Sequence, residues 1–330
     1  MSEIVLGIGA SHSTLMNTHW AEVDHLPEAH RFRDGLAAAR DALAAARPDA
    51  VVVVGSNHFR GMFLDLMPAV TVGVGEVLGA GEAGTPGGPL PVETDLARRL
   101  VDGMVGDGFD PAFSLRLTVD HGITHSLQHL VPSLDVPIVP VVVNMFAPPL
   151  PPLARVHRLG ATIGDAVRGD GRDLRVALVA SGGLSHRLPW PKWFAALSDD
   201  DRFLVEAWLH GRTSWGEYEV RRRQIIRAAE PDINSEFDAR FLAMLADGDV
   251  SPVLAMTDDE LEREAGNGAH ELRSWLAVHA ALTGPDGPPH ATTAAYAAVG
   301  PWLTGMGVSI MTPAGTTPTP RSTGTLEAAR

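Results

Sequence analysis

Apolar residues in this chain fall into two alternating patterns. The first is a set of mainly aliphatic runs: Ile4 to Ile8, Ala50 to Val54, Pro137 to Asn144 and Leu174 to Ala180, with Ala69 to Val77 as a further strand candidate. Runs of this length with no polar alternation predict strands buried on both faces of a sheet. The second is helical spacing. Phe32, Leu36, Ala39 and Leu43 share one face of Arg31 to Arg47, with Pro48 as a stop, and Leu96, Leu100 and Met104 do the same in Glu93 to Val105. A further helix should run from the Pro-rich turn at Pro148 to Pro152 to about Val167. Strand, helix, strand in succession is a crossover unit, so the predicted class is α/β, with a central mostly parallel or mixed sheet flanked by helices.

Three stretches qualify this picture. Phe113, Leu115, Leu117 and Val119 alternate at period two, which predicts a half-buried strand running into Asp120-His121-Gly122. Pro140 interrupts its own strand and fits best at an edge or irregularity. Gly79 to Pro91 (GAGEAGTPGGPLP) is too rich in Gly and Pro for regular structure and reads as a loop, either a surface connection or a substrate lid. From Pro189 to Asn267 the pattern turns mostly helical, with Ser198-x-x-Asp201 and Thr257-x-x-Glu260 as capping signals and Gly248 and Gly266 as stops. This predicts a helical excursion over 189–267 attached to the sheet. A last helix, Ala269 to Leu282, and a short element near Gly307 to Met311 close a single domain over 1–311. Residues 312–330 hold too little apolar content to pack and are expected to be a disordered tail.

Composition narrows the function. The chain has 40 acidic against 26 basic residues, a formal net charge of -14, and no Lys/Arg block, which argues against a nucleic-acid or anionic membrane surface. It has no cysteine, so any metal must be held by His and carboxylate. No basic leader with an apolar core opens the chain, and no apolar run approaches the ~20 residues that span a bilayer. A cytoplasmic protein is the expectation.

The candidate chemistry lies where the strands stop. IVLGIGASH ends at His12, VVVVGSNH at His58, RVALVASGGLSH at His186, and the alternating strand runs into His121. Open α/β sheets place functional groups just beyond the carboxyl ends of their strands. One strand-end histidine is usually a hydrogen-bonded loop residue; four suggest a site. Neutral imidazole and carboxylate together suit Fe(II) or Zn, and two His with one Glu leave three coordination positions open. Spacing alone leaves the ligand set open. His121, His125 and His129 would form a stripe on one helix face, of which His121 at the loop is the functional candidate. Gly182-Gly183 lacks the following Lys-Ser/Thr of a phosphate loop and reads as a tight turn that lets His186 reach the site. Trp190, Trp193 and Phe194 are candidates for an aromatic wall or for core, and Arg60 and Arg187 for pairing with a substrate carboxylate or for plain surface. The remaining histidines, His19 and His279 among them, have no such context.

Five short motifs occur in order: Gly9-Ala-Ser-His12, Ser56-Asn-His58, Asp120-His-Gly122, Gly182-Gly-Leu-Ser-His186, and Gly268-Ala-His-Glu271 with Trp275 one turn on. In them the chain resembles the class III extradiol ring-cleaving dioxygenases, the superfamily of the protocatechuate 4,5-dioxygenase catalytic subunit and of the 2,3-dihydroxyphenylpropionate dioxygenase type. The resemblance spans residues 4 to 311 and differs after Ser-His, where Ser13 stands in place of a frequent proline or glycine. It implies that His12, His58 and Glu271 ligate Fe(II), and that His121 and His186 act as acid and base beside the substrate. It also implies a catecholic aromatic substrate, dioxygen as co-substrate, ring opening next to the two hydroxyls, and a homo-oligomer. His270 is a rival to Glu271, but neighbours on a helix point about 100° apart, so the two would not face one metal. Two other readings remain: a Zn-dependent hydrolase on the same ligands, and a non-catalytic, Memo-like protein of the same fold.

Overall fold

The computed structural model describes residues 1–315. Nine strands form one sheet: β1 (Glu3–Ala10), β2 (Ala50–Gly55), β3 (Val70–Ala80), β4 (Gly87–Leu90), β5 (Ala112–Val119), β6 (Ile138–Val143), β7 (Arg175–Ser181), β8 (His290–Val299) and β9 (Thr304–Thr312). Their spatial order is β4-β3-β6-β2-β7-β1-β9-β8, with β5 paired to β3 alone. β6, β2, β7 and β1 run parallel, and β3 and β9 flank them antiparallel, so the sheet is mixed with a parallel centre.

The aliphatic runs are the centre of this sheet because both of its faces are covered. Val52 and Val54 pack with α3 (Thr94–Gly106), α5 (Leu153–Arg168) and α10 (Leu272–Leu282) on one side, while Val51 and Val53 meet α2 (Pro27–Ala46) and α4 (His121–Leu130) on the other. Each such buried valine contributes about 1.5–3 kcal/mol relative to exposure. A short α1 (Thr14–Thr18) follows β1. The excursion is helical as expected: α6 (Asp199–Arg227), α7 (Ser235–Asp247), α8 (Ser251–Leu254) and α9 (Asp258–Ala265). Ser198 and Thr257 head capping boxes on α6 and α9, and Gly248 and Gly266 follow α7 and α9 with positive φ. Trp208 of α6 stacks on Phe59 at 4.4 Å between ring centroids, which ties the excursion to the loop after β2.

Three expectations need correction. Gly79 to Pro91 is not a loop: β3 continues to Ala80, a single 3-10 turn spans Glu82–Gly84, and β4 folds back antiparallel on β3. Glycines face each other there, and a Cβ on Gly79 would lie 2.2 Å from the Pro86 carbonyl, so the composition that signals a loop is what lets two backbones approach. Pro140 lies in an interior strand, opposite Val53 of β2; the ladder to β3 starts only at Val141, so no neighbour on that side needs its missing N–H. In β5 the alternation is correct, but Phe113 and Leu115 are exposed and only Leu117 and Val119 are buried, because β5 is an edge strand. β8 had no counterpart in the sequence reading, and β9 is longer than the element expected near Gly307. β9 reaches Thr312, and of the tail expectation residues 316–330 lie outside the described residues. No helix of the described residues is long and apolar enough to cross a membrane.

Candidate metal centre

Three strands of the parallel centre and one helix bring the site together. His12 lies two residues beyond β1 and His58 three beyond β2, while β7, between those strands, ends at Ser181. Helix α10 docks closely on them: Trp275 Nε1 donates to the Gly182 carbonyl at 2.9 Å, and a Cβ on Gly9 would fall 2.2 Å from the Trp275 ring. That docking drives Glu271, the residue preceding α10, into the sheet end, where it is 1% exposed. Its Oε1 lies 3.3 Å from His12 Nε2 and 3.4 Å from His58 Nε2. Ser56 Oγ donates to the same oxygen, and the Gly183 N–H donates to Oε2 at 2.6 Å. Burial pushes the Glu271 carboxyl above its usual range, against the pull of His58, Ser56 and Gly183.

This donor set fits a metal ion. His12 Nδ1 is taken by Ser181 Oγ at 3.1 Å, while its Nε2, aimed at Glu271, is buried with no hydrogen-bond partner. Burial, and then the neighbouring His58 and His121, hold the His12 pKa well below the usual value, which keeps the ring in the neutral form that ligates. One carboxylate oxygen lies within 3.4 Å of two imidazole nitrogens, the donor types of a facial triad with open positions. Ring nitrogens of His12, His58 and His121 also lie within 4.8 Å of one another, so a three-histidine set competes for the same place. Glu271 Oε1 approaches both histidines within 3.4 Å, while His121 is paired through Nδ1 and keeps Nε2 free.

Its pairing defines what His121 can do. Glu82, on the turn between β3 and β4, accepts from the His121 backbone N–H at 2.7 Å and lies 2.8 Å from Nδ1. A carboxylate only accepts, so Nδ1 carries the proton and Nε2 the lone pair. Although β5 runs opposite to the central strands, His121 reaches the site as the first residue of α4. That turn packs so tightly on β2 that a Cβ on Gly55 would meet the Gly122 carbonyl at 2.2 Å. Asp120 caps α4 through the Gly122 N–H and also accepts the backbone N–H groups of His58 and Arg60. Burial opposes its charge, but His58 and then His121 hold the Asp120 carboxyl below the usual range.

His186 follows the same rule. Its Nδ1 lies 2.8 Å from the Leu184 carbonyl, which leaves Nε2 as the free nitrogen. Burial lowers its pKa to about 4, with the Leu184 carbonyl raising it and His58 lowering it. Burial, then His58, likewise hold His121 well below the usual value, against Asp120. Both rings line a cavity of about 500 Å³ together with His12, His58 and Glu271.

Other candidates separate clearly. His125 is buried beside His12, at 6.1 Å between ring centroids, and His129 continues the stripe away from the cavity. His270 faces elsewhere, between Glu262 and Arg273. Trp190 walls the cavity and contacts His58 and Phe146, whereas Trp193 is exposed. Arg60 lines the cavity; Arg187 is half-exposed and pairs with Asp232 outside it. His19, which had no context in the sequence, also lines the cavity. Glu82 and Arg222 were missed: the first sits in a stretch read as a loop, the second among the many arginines of α6, and neither has a motif.

The whole of residues 7–306 matches the family described as the catalytic LigB subunit of aromatic ring-opening dioxygenase. A Rhodococcus protein named 2,3-dihydroxyphenylpropionate/2,3-dihydroxicinnamic acid 1,2-dioxygenase is 35% identical over 91% of this chain and 95% of its own. Proteins of the same name from Cupriavidus necator and Rhodococcus jostii are 35% and 34% identical, over 84% and 82% of this chain and 90% and 87% of theirs. A crystal structure of an uncharacterized Escherichia coli K12 protein, JW3007, aligns over 93% of this chain and 99% of its own at 18% identity and a TM-score of 0.49.

Proposed function

The chain belongs to the LigB family of aromatic ring-opening dioxygenases and is an extradiol, ring-cleaving dioxygenase of catecholic compounds; on that premise we propose that it is an Fe(II) enzyme in which His12, His58 and Glu271 hold the metal and His121 and His186 move the protons. The observation that carries the ligand assignment is the meeting of Glu271 Oε1 with His12 Nε2 and His58 Nε2, at 3.3 and 3.4 Å, around a buried nitrogen without a partner. When bound there, Fe(II) supplies a centre at which a catechol and dioxygen are held side by side.

The protein's part is positioning and proton transfer. His121 and His186 each present a neutral imidazole whose Nδ1 is occupied and whose Nε2 can accept a phenolic proton. Glu82 holds one ring and the Leu184 carbonyl the other, so neither must reorient before it acts. Once protonated, the same ring is an acid placed to return the proton as the ring opens. Trp190 and the α6 segment from Glu219 to Arg227 wall the cavity. Residues 1–311 act as one catalytic domain in this reading, and the chain self-associates; a monomer by light scattering would end the latter point.

The test is to load the protein with Fe(II) without air, add a panel of catechols that includes 2,3-dihydroxyphenylpropionate, and admit oxygen. A yellow ring-fission product formed with iron and not with zinc is expected. Oxygen uptake absent across the whole panel would overturn the reading in favour of a hydrolase or a non-catalytic protein.

A further inference from the structure

Arg222, on the face of α6 that lines the cavity, is the outstanding charge in the molecule. It is 8% exposed, its Nε is sealed from solvent, and among the described residues the guanidinium makes no hydrogen bond or ion pair. A buried charge without a partner is rarely tolerated unless something supplies the counter-charge. The carboxylates within electrostatic reach are Glu219, Asp120 and Glu82. Each is committed elsewhere. Glu219 pairs with Arg60 at 2.8 Å and with Arg223, and accepts from Trp215 Nε1 at 2.7 Å. Asp120 caps α4 and Glu82 holds His121.

The neighbourhood is built to keep Arg222 in place and unpaired. Arg60, anchored by Glu219, lays its guanidinium over the Trp215 ring, 3.3 Å from the centroid, and Arg222 lies 5.6 Å from the same ring. Two cations held near one indole ring, with one carboxylate shared between Arg60 and Arg223, leave a positive pole on the cavity wall. That pole is near the chemistry, since Arg222 and Arg60 both lower the basicity of His121.

We infer that Arg222 binds a carboxylate on the substrate's side chain, so that the enzyme selects catechols carrying a short acidic chain over uncharged ones. This rests on the ring-cleavage reading above and adds to it the feature that chooses among catechols. A planar guanidinium suits a carboxylate through two parallel N–H bonds, and the low-dielectric wall strengthens the pairing. Arg60 contributes charge and shape while remaining bound to Glu219. An amide in place of the carboxylate keeps the size but returns Arg222 to a buried charge without a counter-ion.

The experiment compares 2,3-dihydroxyphenylpropionate with its primary amide on the Fe(II)-loaded enzyme, and measures calorimetric binding of phenylpropionate, which lacks the catechol, to metal-free protein. The wild type should favour the acid by on the order of 10²-fold in kcat/KM, and Arg222→Met should bring that ratio close to one. Phenylpropionate binding should weaken in the variant by a similar factor. Arg222→Lys, which keeps a point charge, should fall between the two and serves if Arg222→Met does not fold. Equal use of acid and amide by the wild type, or an unchanged ratio in a folded variant, would overturn the assignment. Failure of the wild type to cleave acid, amide or 3-methylcatechol would instead refute ring cleavage, and the phenylpropionate measurement would still decide the role of Arg222.

Discussion

His121 Nδ1 lies 2.8 Å from Oε1 of Glu82, a carboxylate that enters the site on the turn between β3 and β4. The pair sets both the orientation of the ring and the nitrogen that is free to react. Glu82→Ala should therefore lower kcat by about 10- to 100-fold, the usual cost of removing such an orienting partner, with iron content unchanged. Glu82→Gln keeps an acceptor and should lose less. Iron analysis beside steady-state kinetics checks this; loss of iron in Glu82→Ala would place Glu82 in support of the metal.

The ligand set makes a sharper division. His12→Ala, His58→Ala and Glu271→Ala should each lose bound iron, whereas His121→Ala and His186→Ala should retain it and lose about 10²- to 10⁴-fold in kcat, the range for a general acid or base. Metal content by emission spectroscopy after gel filtration separates the two groups. Iron kept in Glu271→Ala but lost in His121→Ala would transfer the third ligand to His121, whose ring nitrogen is also within 4.8 Å of those of His12 and His58.

Gly268 packs directly on His186, and its N–H donates to the His186 carbonyl at 3.0 Å. A Cβ there would lie 2.1 Å from the imidazole Nε2, so Gly268→Ala must displace the ring while leaving its chemistry intact. We expect kcat to fall at least tenfold, since misplacement by about 1 Å can cost 10²-fold, with iron binding preserved. Wild-type turnover in this variant would mean that the position of His186 is immaterial.

His279, in the last turn of α10, predicts a pH effect on stability. It is 2% exposed, neither ring nitrogen has a partner, and burial, then His157, lower its pKa to about 4. The unfolded chain takes up a proton as pH falls through about 6.5, and the folded protein takes it up only near 4. Stability should thus be greatest above pH ~6.5 and decline toward pH ~4, by up to about 1.4 kcal/mol per pH unit from this group. His279→Leu should flatten part of that slope in urea titrations of metal-free protein. The other buried histidines, among them His129 and His186 at about 4 and His12, His121 and His125 well below their usual value, keep the remainder. An unchanged slope in His279→Leu would show that its burial is not what couples stability to pH.

The sequence by itself determined the class of the fold and which histidines stand just beyond the strand ends. Aliphatic runs such as Ala50 to Val54 can be satisfied only in a sheet covered on both faces, and the strand-end positions of His12, His58 and His186 follow from that local geometry. The capping boxes at Ser198 and Thr257 were equally legible, since a cap is a contact between residues three apart. Glu271 was named from the family's motif, but its burial at the sheet end came only from the docking of α10 on Gly9 and Gly182. What the tertiary structure alone decided are contacts between distant segments that no local pattern encodes. Glu82 meets His121 because glycines let β4 fold back where composition reads as loop. Arg222 is one of many arginines in α6, and only the fold shows that it is buried, that it lines the cavity, and that every nearby carboxylate is already taken. Local patterns report what a residue does to its own backbone, and a site is made from what the packed chain leaves unsatisfied.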